Sequence, residues 1–80
     1  MKIEATMPRM APEMNSGVLC AWLKGEGDRV QKGEALFEVE TEKVVLQVEA
    51  ECGGTVARLL ADEGDEVPVG GVVAVLEDER

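Results

Sequence analysis

The sequence predicts a small all-β domain, an antiparallel sandwich or flattened barrel assembled from two similar halves. Three observations point there. The chain aligns with itself at an offset of 37 residues, 17–41 falling on 54–78 without a gap, with eight identities in 25 pairs. The identities cluster on turn residues: Gly17/Gly54, Glu26/Glu63, Gly27/Gly64, Asp28/Asp65 and Gly33/Gly70, joined by Leu23/Leu60, Val30/Val67 and Glu40/Glu77. Short stretches of apolar alternation separate these turns, the period-two sign of half-buried strands. Two copies are too few for a solenoid, so each half is expected to complete the other's core.

The elements follow in order. Residues 1–7 read as a strand, since no signal-peptide apolar region is present. Residues 18–24 and 55–61 form the repeated first strand of each half. They lead into Gly25-Glu26-Gly27-Asp28 and Asp62-Glu63-Gly64-Asp65, where Gly supplies positive φ and Asp bonds its own backbone. Residues 57–62 have some helical character, but turn signals bound them too closely for a helix. A short extended piece ends at Gly33 and at Gly70-Gly71, and a second strand follows at 35–40 and 72–77. Between the halves, Leu46, Val48 and Ala50 alternate with Val45, Gln47 and Glu49, so the first three are expected inside.

Eighty residues make one domain, 1–80, with a lean core: one Trp, one Phe, no Tyr. Trp22, opposite Leu59 in the repeat, is expected to pack in or beside that core. The net charge of −9, from 17 acidic and 8 basic residues, argues against a nucleic-acid partner, because phosphate binding needs Lys and Arg clusters. No stretch has the apolar length of a membrane span, and the expected compartment is cytoplasmic, or an organelle lumen after loss of a targeting segment. The absence of His excludes imidazole metal sites and Ser-His-Asp or Cys-His catalysis from this chain. Cys20 and Cys52 form no CxxC and read as structural free thiols, Cys20 as a small buried residue. The glycines make no phosphate-cradling loop.

The chemistry then falls on one residue. Lys43, in Val39-Glu40-Thr41-Glu42-Lys43-Val44-Val45, lies between two strand-like runs and is expected to crown a tight hairpin. A lysine held out on a rigid turn suits covalent attachment of something that must travel better than it suits acid/base work. Glu38, Glu40, Glu42, Glu49 and Glu51 surround it and read as a convex acidic face, with no evident large pocket. That face keeps the domain soluble and steers it toward basic partner sites. In the repeat Lys43 maps onto Arg80, which sets the lysine turn at the opposite end from the chain terminus and points it away from any linker leaving there.

These residues carry a family resemblance. Met7-Pro8, Met14, Gly17, the run from Trp22 to Glu34, Glu40-Thr41-Glu42-Lys43, Glu49-Ala50, Gly53-Gly54-Thr55-Val56, the run from Glu63 to Gly70 and Val72-Val73-Ala74 resemble a lipoyl domain of the 2-oxo acid dehydrogenase complexes, over nearly the whole chain. The pattern departs at two places: Glu42 stands where Asp is usual, and Val44 where Ala is common. The resemblance implies a barrel-sandwich hybrid of two four-stranded antiparallel sheets with pseudo-two-fold symmetry. It implies lipoate in amide linkage on Lys43, with Glu40, Thr41, Glu42, Val44 and Gly17 as recognition context. It further implies a non-catalytic swinging arm whose dithiolane does the chemistry while the protein supplies position. The implied partners are a lipoate ligase or lipoyl transferase, a thiamin-diphosphate-dependent 2-oxo acid decarboxylase, an acyltransferase core and dihydrolipoyl dehydrogenase. The loop at 9–16 is implied to lie beside the lysine turn and to help the decarboxylase recognise the domain. The related biotinyl carrier domain of biotin-dependent carboxylases normally flanks its lysine with methionines, unlike Glu42 and Val44 here. An unmodified interaction module is the remaining alternative.

Overall fold

The computed structural model describes residues 1–42 and 44–78. Among them every helix or strand is a strand: β1 (Lys2–Thr6), β2 (Ser16–Trp22), β3 (Arg29–Val30), β4 (Ala35–Glu40), β5 (Val45–Glu49), β6 (Gly54–Leu59), β7 (Glu66–Pro68) and β8 (Val72–Asp78). They form two four-stranded sheets, ordered β1-β8-β6-β3 and β5-β4-β2-β7, with every pairing antiparallel.

The internal repeat is a structural dyad. An offset of 37 carries β2, β3 and β4 onto β6, β7 and β8, and an offset of 43 carries β1 onto β5. Applied to the first sheet, these offsets give the strand order of the second. The hydrogen bonds repeat as well. Gly27 N–H donates to Val56 O at 2.8 Å and its mate Gly64 to Leu19 O at 2.7 Å. The Glu of each Gly-Asp turn caps the other half: Glu63 Oε2 accepts from Trp22 N–H at 2.8 Å, and Glu26 Oε2 from Leu59 N–H at 2.9 Å. The turn glycines Gly27 and Gly64 have φ of 91° and 97°, which an L side chain adopts only at a cost.

Register shifts also occur in dyad pairs, at Leu36 and Val73 and at Cys20 and Ala57. A bulge adds a residue to one strand and breaks alternation. It turns the neighbours Leu36 and Phe37 both inward, and likewise Val73 and Ala74. The core is filled by dyad mates, with large residues set against small ones: Leu19/Val56, Val39/Leu76, Phe37/Ala74 and Met7/Ala50 are all buried. Trp22 is half-buried, tilted on Phe37 at 5.3 Å between ring centroids, and its Nε1–H donates to Ala61 O at 2.9 Å.

Two expectations need correction. Along β5 only the far end reaches the core: Ala50 is buried and Val48 half-buried, but Leu46 is 38% exposed. β5 pairs with β4 alone and is a sheet edge, so at its turn end no neighbouring strand covers Leu46. Cys20 is half-buried rather than buried, because it is the extra residue of a bulge.

Gly17 and Gly54 are dyad mates required for space. A Cβ on Gly54 would run into the carbonyl oxygen of Glu77, while one on Gly64 would meet nothing within 4 Å. Gly54→Ala is therefore expected to cost about 1–3 kcal/mol or more through strand displacement, and Gly64→Ala about 1 kcal/mol through its positive φ. Against a total of roughly 4–12 kcal/mol for a domain of this size, urea denaturation should rank the two clearly. Equal losses would mean that the strand-to-strand approach at Gly54 is not limiting.

Candidate functional site

The connection between β4 and β5 spans residues 41–44, and Lys43 itself lies outside the described residues. The residues on either side are well tied. Thr41 N–H donates to Val44 O at 2.8 Å, Thr41 Oγ1–H donates to the same oxygen at 3.2 Å, and Val44 N–H donates to Thr41 Oγ1 at 3.3 Å. One threonine thus closes the turn through main chain and side chain, as Thr and Ser side chains do in turns. Glu40↔Val45 is the last strand pair before it.

Glu40, Glu42 and Val44 are exposed and Thr41 is half-exposed, so a partner enzyme can reach all four. Gly17 differs. It is buried, and a Cβ there would stand 2.6 Å from Val39 Cγ1 and 2.9 Å from Met14 Cε. Its place in the site is to let Met7 and Met14 seat against β2.

The dyad explains where the turn stands. The bond from Thr41 N–H to Val44 O has a mate in the bond from Asp78 N–H to Met1 O, also 2.8 Å. The turn and the paired chain ends are thus symmetry counterparts. The halves differ mainly beside the turn. The offset falls from 43 to 37 between the first and second strands of each half, and the β1–β2 connection, 7–15, is five residues longer than the β5–β6 connection, 50–53. Arg9 holds this longer loop in shape by donating from Nη1 to the carbonyls of Pro12 and Met14. Met10 N–H points at Met14 Sδ, 3.4 Å away.

Loop and turn enclose an open groove. Its lining runs from Met10, Ala11 and Met14 across Gly17 and Val18 to Thr41, Val44 and Leu46, with Glu13, Glu40, Glu42 and Glu66 among the lining residues. Of the expected convex acidic face, Glu40 and Glu42 thus border a groove, while Glu38, Glu49 and Glu51 are not part of its lining. Sequence periodicity gave no sign of this, because the loop has none; the two methionines and the extra length against the repeat were the available signals. Among the described residues no group of three or more His, Cys, Asp or Glu is placed to hold a metal ion. A lysine-linked group would suit the site: Glu42 and Val44, on either side of position 43, are exposed, Thr41 and Val44 are hydrogen-bonded to each other, and all three border a groove lined in part by apolar residues.

The acidic field has a measurable reporter in Cys20. Burial pushes its thiol above the ordinary range, and the charges of Glu38, Glu40 and Glu63 push it further. The thiolate is the reactive form, so Cys20 should alkylate more slowly at neutral pH than a cysteine in an unstructured peptide. Its rate should climb only above the usual thiol range, and Glu40→Gln should speed it a few-fold. Mass-resolved iodoacetamide kinetics against pH check this; a rate at Cys20 equal to the peptide's would show that neither burial nor charge governs the thiol.

With the geometry in hand, known proteins place the chain. The family model for biotin and lipoyl attachment, described as biotin-requiring enzyme, matches residues 3–76. The chain is 42% identical over 80 residues to the dihydrolipoyllysine-residue acetyltransferase component of the pyruvate dehydrogenase complex of Rickettsia bellii, covering 99% of this chain but 19% of that protein. The curated relatives it matches are thus several times longer. The lipoyl domain of the 2-oxoglutarate dehydrogenase complex of Azotobacter vinelandii superposes with a TM-score of 0.73 at 32% identity, over 98% of this chain and 96% of that one. Urea carboxylase of Kluyveromyces lactis superposes with a TM-score of 0.80 at 25% identity, over 96% of this chain and 6% of that one. Both branches share the fold, and the lipoyl domain matches end to end; the chain belongs to the biotin/lipoyl attachment family, as a lipoyl domain.

Proposed function

We propose that this domain carries lipoate in amide linkage on Lys43 and works as the swinging arm of a 2-oxo acid dehydrogenase complex, moving acyl groups and reducing equivalents between the decarboxylase, the acyltransferase and dihydrolipoyl dehydrogenase. The observation that carries the reading is the exposed turn at 41–44, closed by Thr41 and Val44, in a chain of the lipoyl family. Lipoate, when attached, supplies a disulfide that takes up an acyl group together with two electrons.

The chain's own residues do the rest. Thr41 fixes the turn so that the attachment point stays at the rim of the sandwich. Glu40, Glu42 and Val44 present the face that a lipoate ligase or lipoyl transferase reads, and Gly17 supports it from beneath by seating Met14. The acidic surface, net −9, steers the domain toward basic entrances of its partner enzymes. A carrier tethered near three active sites raises its own effective concentration at each. Because the turn is the dyad mate of the chain ends, a linker at those ends leaves it free to enter a partner. Residues 1–80 act as one unit, and the compartment is the cytoplasm, or the mitochondrial matrix if the source is eukaryotic. The carboxylase likeness favours biotin as the second reading; Glu42 and Val44, in place of flanking methionines, favour lipoate.

Incubation with lipoate ligase and with biotin ligase, followed by peptide mapping, is expected to add a lipoyl mass to Lys43 alone, and Lys43→Gln to remove it. Label at Lys24 or Lys32, or biotin taken up in preference to lipoate, would overturn the assignment.

The loop 9–16 should govern recognition by the decarboxylase. Grafting a loop of different sequence and equal length is expected to lower the reductive acylation rate at least tenfold while lipoylation and fold persist. An unchanged rate would remove the loop from recognition. The purified lipoylated domain, given a 2-oxo acid, thiamin diphosphate and coenzyme A but no partner enzyme, should transfer no acyl group; turnover would reveal a catalytic site on this chain.

A further inference from the structure

The groove beside the turn does more than the display of a lysine requires. The internal dyad supplies the comparison. At the chain ends, the counterpart of the turn, the same pairing of strands stands without the five extra loop residues, so the fold closes without them. The strand residues differ in part: Val45 and Gln47 stand in place of charged residues, while Leu46 keeps the apolar character of its mate. Val45, Leu46 and Gln47 occupy the positions held by Lys2, Ile3 and Glu4 in β1. Val44, Val45 and Leu46 are 49%, 56% and 38% exposed, the longest exposed run of large apolar residues among the described residues. The other exposed leucines, Leu23 and Leu60, are dyad mates of each other and belong to the shared fold.

We propose that this groove is a resting cradle for the aliphatic part of the arm borne at position 43, with Met10, Met14, Val44 and Leu46 as its contacts. The inference rests on the lipoyl reading above. Chain continuity names the occupant: both sequence neighbours of position 43, Glu42 and Val44, line the groove. The lining names its chemistry. Methionine is unbranched and polarisable, and it moulds to an irregular apolar chain better than a rigid ring does. Met10 is half-buried and packs on the core, so it is held in place to serve as a wall. The lining carboxylates Glu13, Glu40, Glu42 and Glu66 leave a neutral chain indifferent to charge, whereas a basic peptide in the same groove would depend on them strongly. The cradle shortens the arm's excursion between encounters and shields its sulfurs. A partner enzyme that contacts the 9–16 loop would then release it.

The test uses domain whose Lys43 modification has been verified by mass, with methyl-labelled Met, Val and Leu. Nuclear Overhauser contacts are expected between the lipoyl methylenes and the methyls of Met10, Val44 and Leu46, unchanged by raised salt. Reduction of the disulfide by a neutral phosphine is expected to run about threefold slower than for lipoamide free in solution, on the population-shift scaling of a partly protected state. Leu46→Thr and Met10→Thr, with native amide spectra, should each abolish the contacts and restore the free rate. Lipoylated domain whose shifts are confined to residues 41–44, with no methyl contacts and the free rate, overturns the cradle and leaves the carrier reading standing. Failure of Lys43 to accept lipoate overturns both.

Discussion

The structure depends on strand pairing across the internal dyad. Of the six pairings, only β2–β4 and β6–β8 lie within one half; β1–β8, β2–β7, β3–β6 and β4–β5 all join the two. Each sheet therefore contains strands of both halves, and neither half buries its apolar face alone. The turn contacts reinforce this, since Glu26 and Glu63 each cap a strand end belonging to the other half. A small domain with one Trp and one Phe has little apolar area to spend, and mutual completion makes all of it count in one core.

Function enters where the symmetry is broken. The dyad maps the β4–β5 turn onto the pairing of Asp78 with Met1, and the same closing hydrogen bond recurs at both ends of the sandwich. The longer 7–15 connection adds a wall on one side only, and Arg9 and Met14 stiffen it from within. Gly17 links wall to sheet, because any side chain there would displace Met14 or Val39. A buried glycine thus acts on an exposed surface through packing.

Charge and shape work together at that end. Glu13, Glu40, Glu42 and Glu66 stand among the apolar residues that line the groove, and burial, with Glu38, Glu40 and Glu63 adding to it, raises the nearby Cys20 thiol. Such a surface attracts basic partner sites at long range and offers apolar contact at short range, which separates the rate of encounter from the selection of the partner.

The sequence by itself determined the two-fold β architecture and the turn positions. Glycines with positive φ and Asp-bonded turns are local requirements, and a 37-residue repeat of them leaves few ways to fold. The closed turn at 41–44 was legible for the same reason, from the strand patterns on either side of Lys43. Tertiary structure decided what local pattern cannot hold. The bulges at Leu36 and Val73 put adjacent residues inside together, against simple alternation, because an extra residue in one strand depends on its partner. Leu46 lies exposed because β5 ended up at a sheet edge, and edge position is a property of strand order, not of strand sequence. The groove exists because a loop without periodicity folds beside a turn some thirty residues away in sequence, a juxtaposition that only the closed sandwich creates.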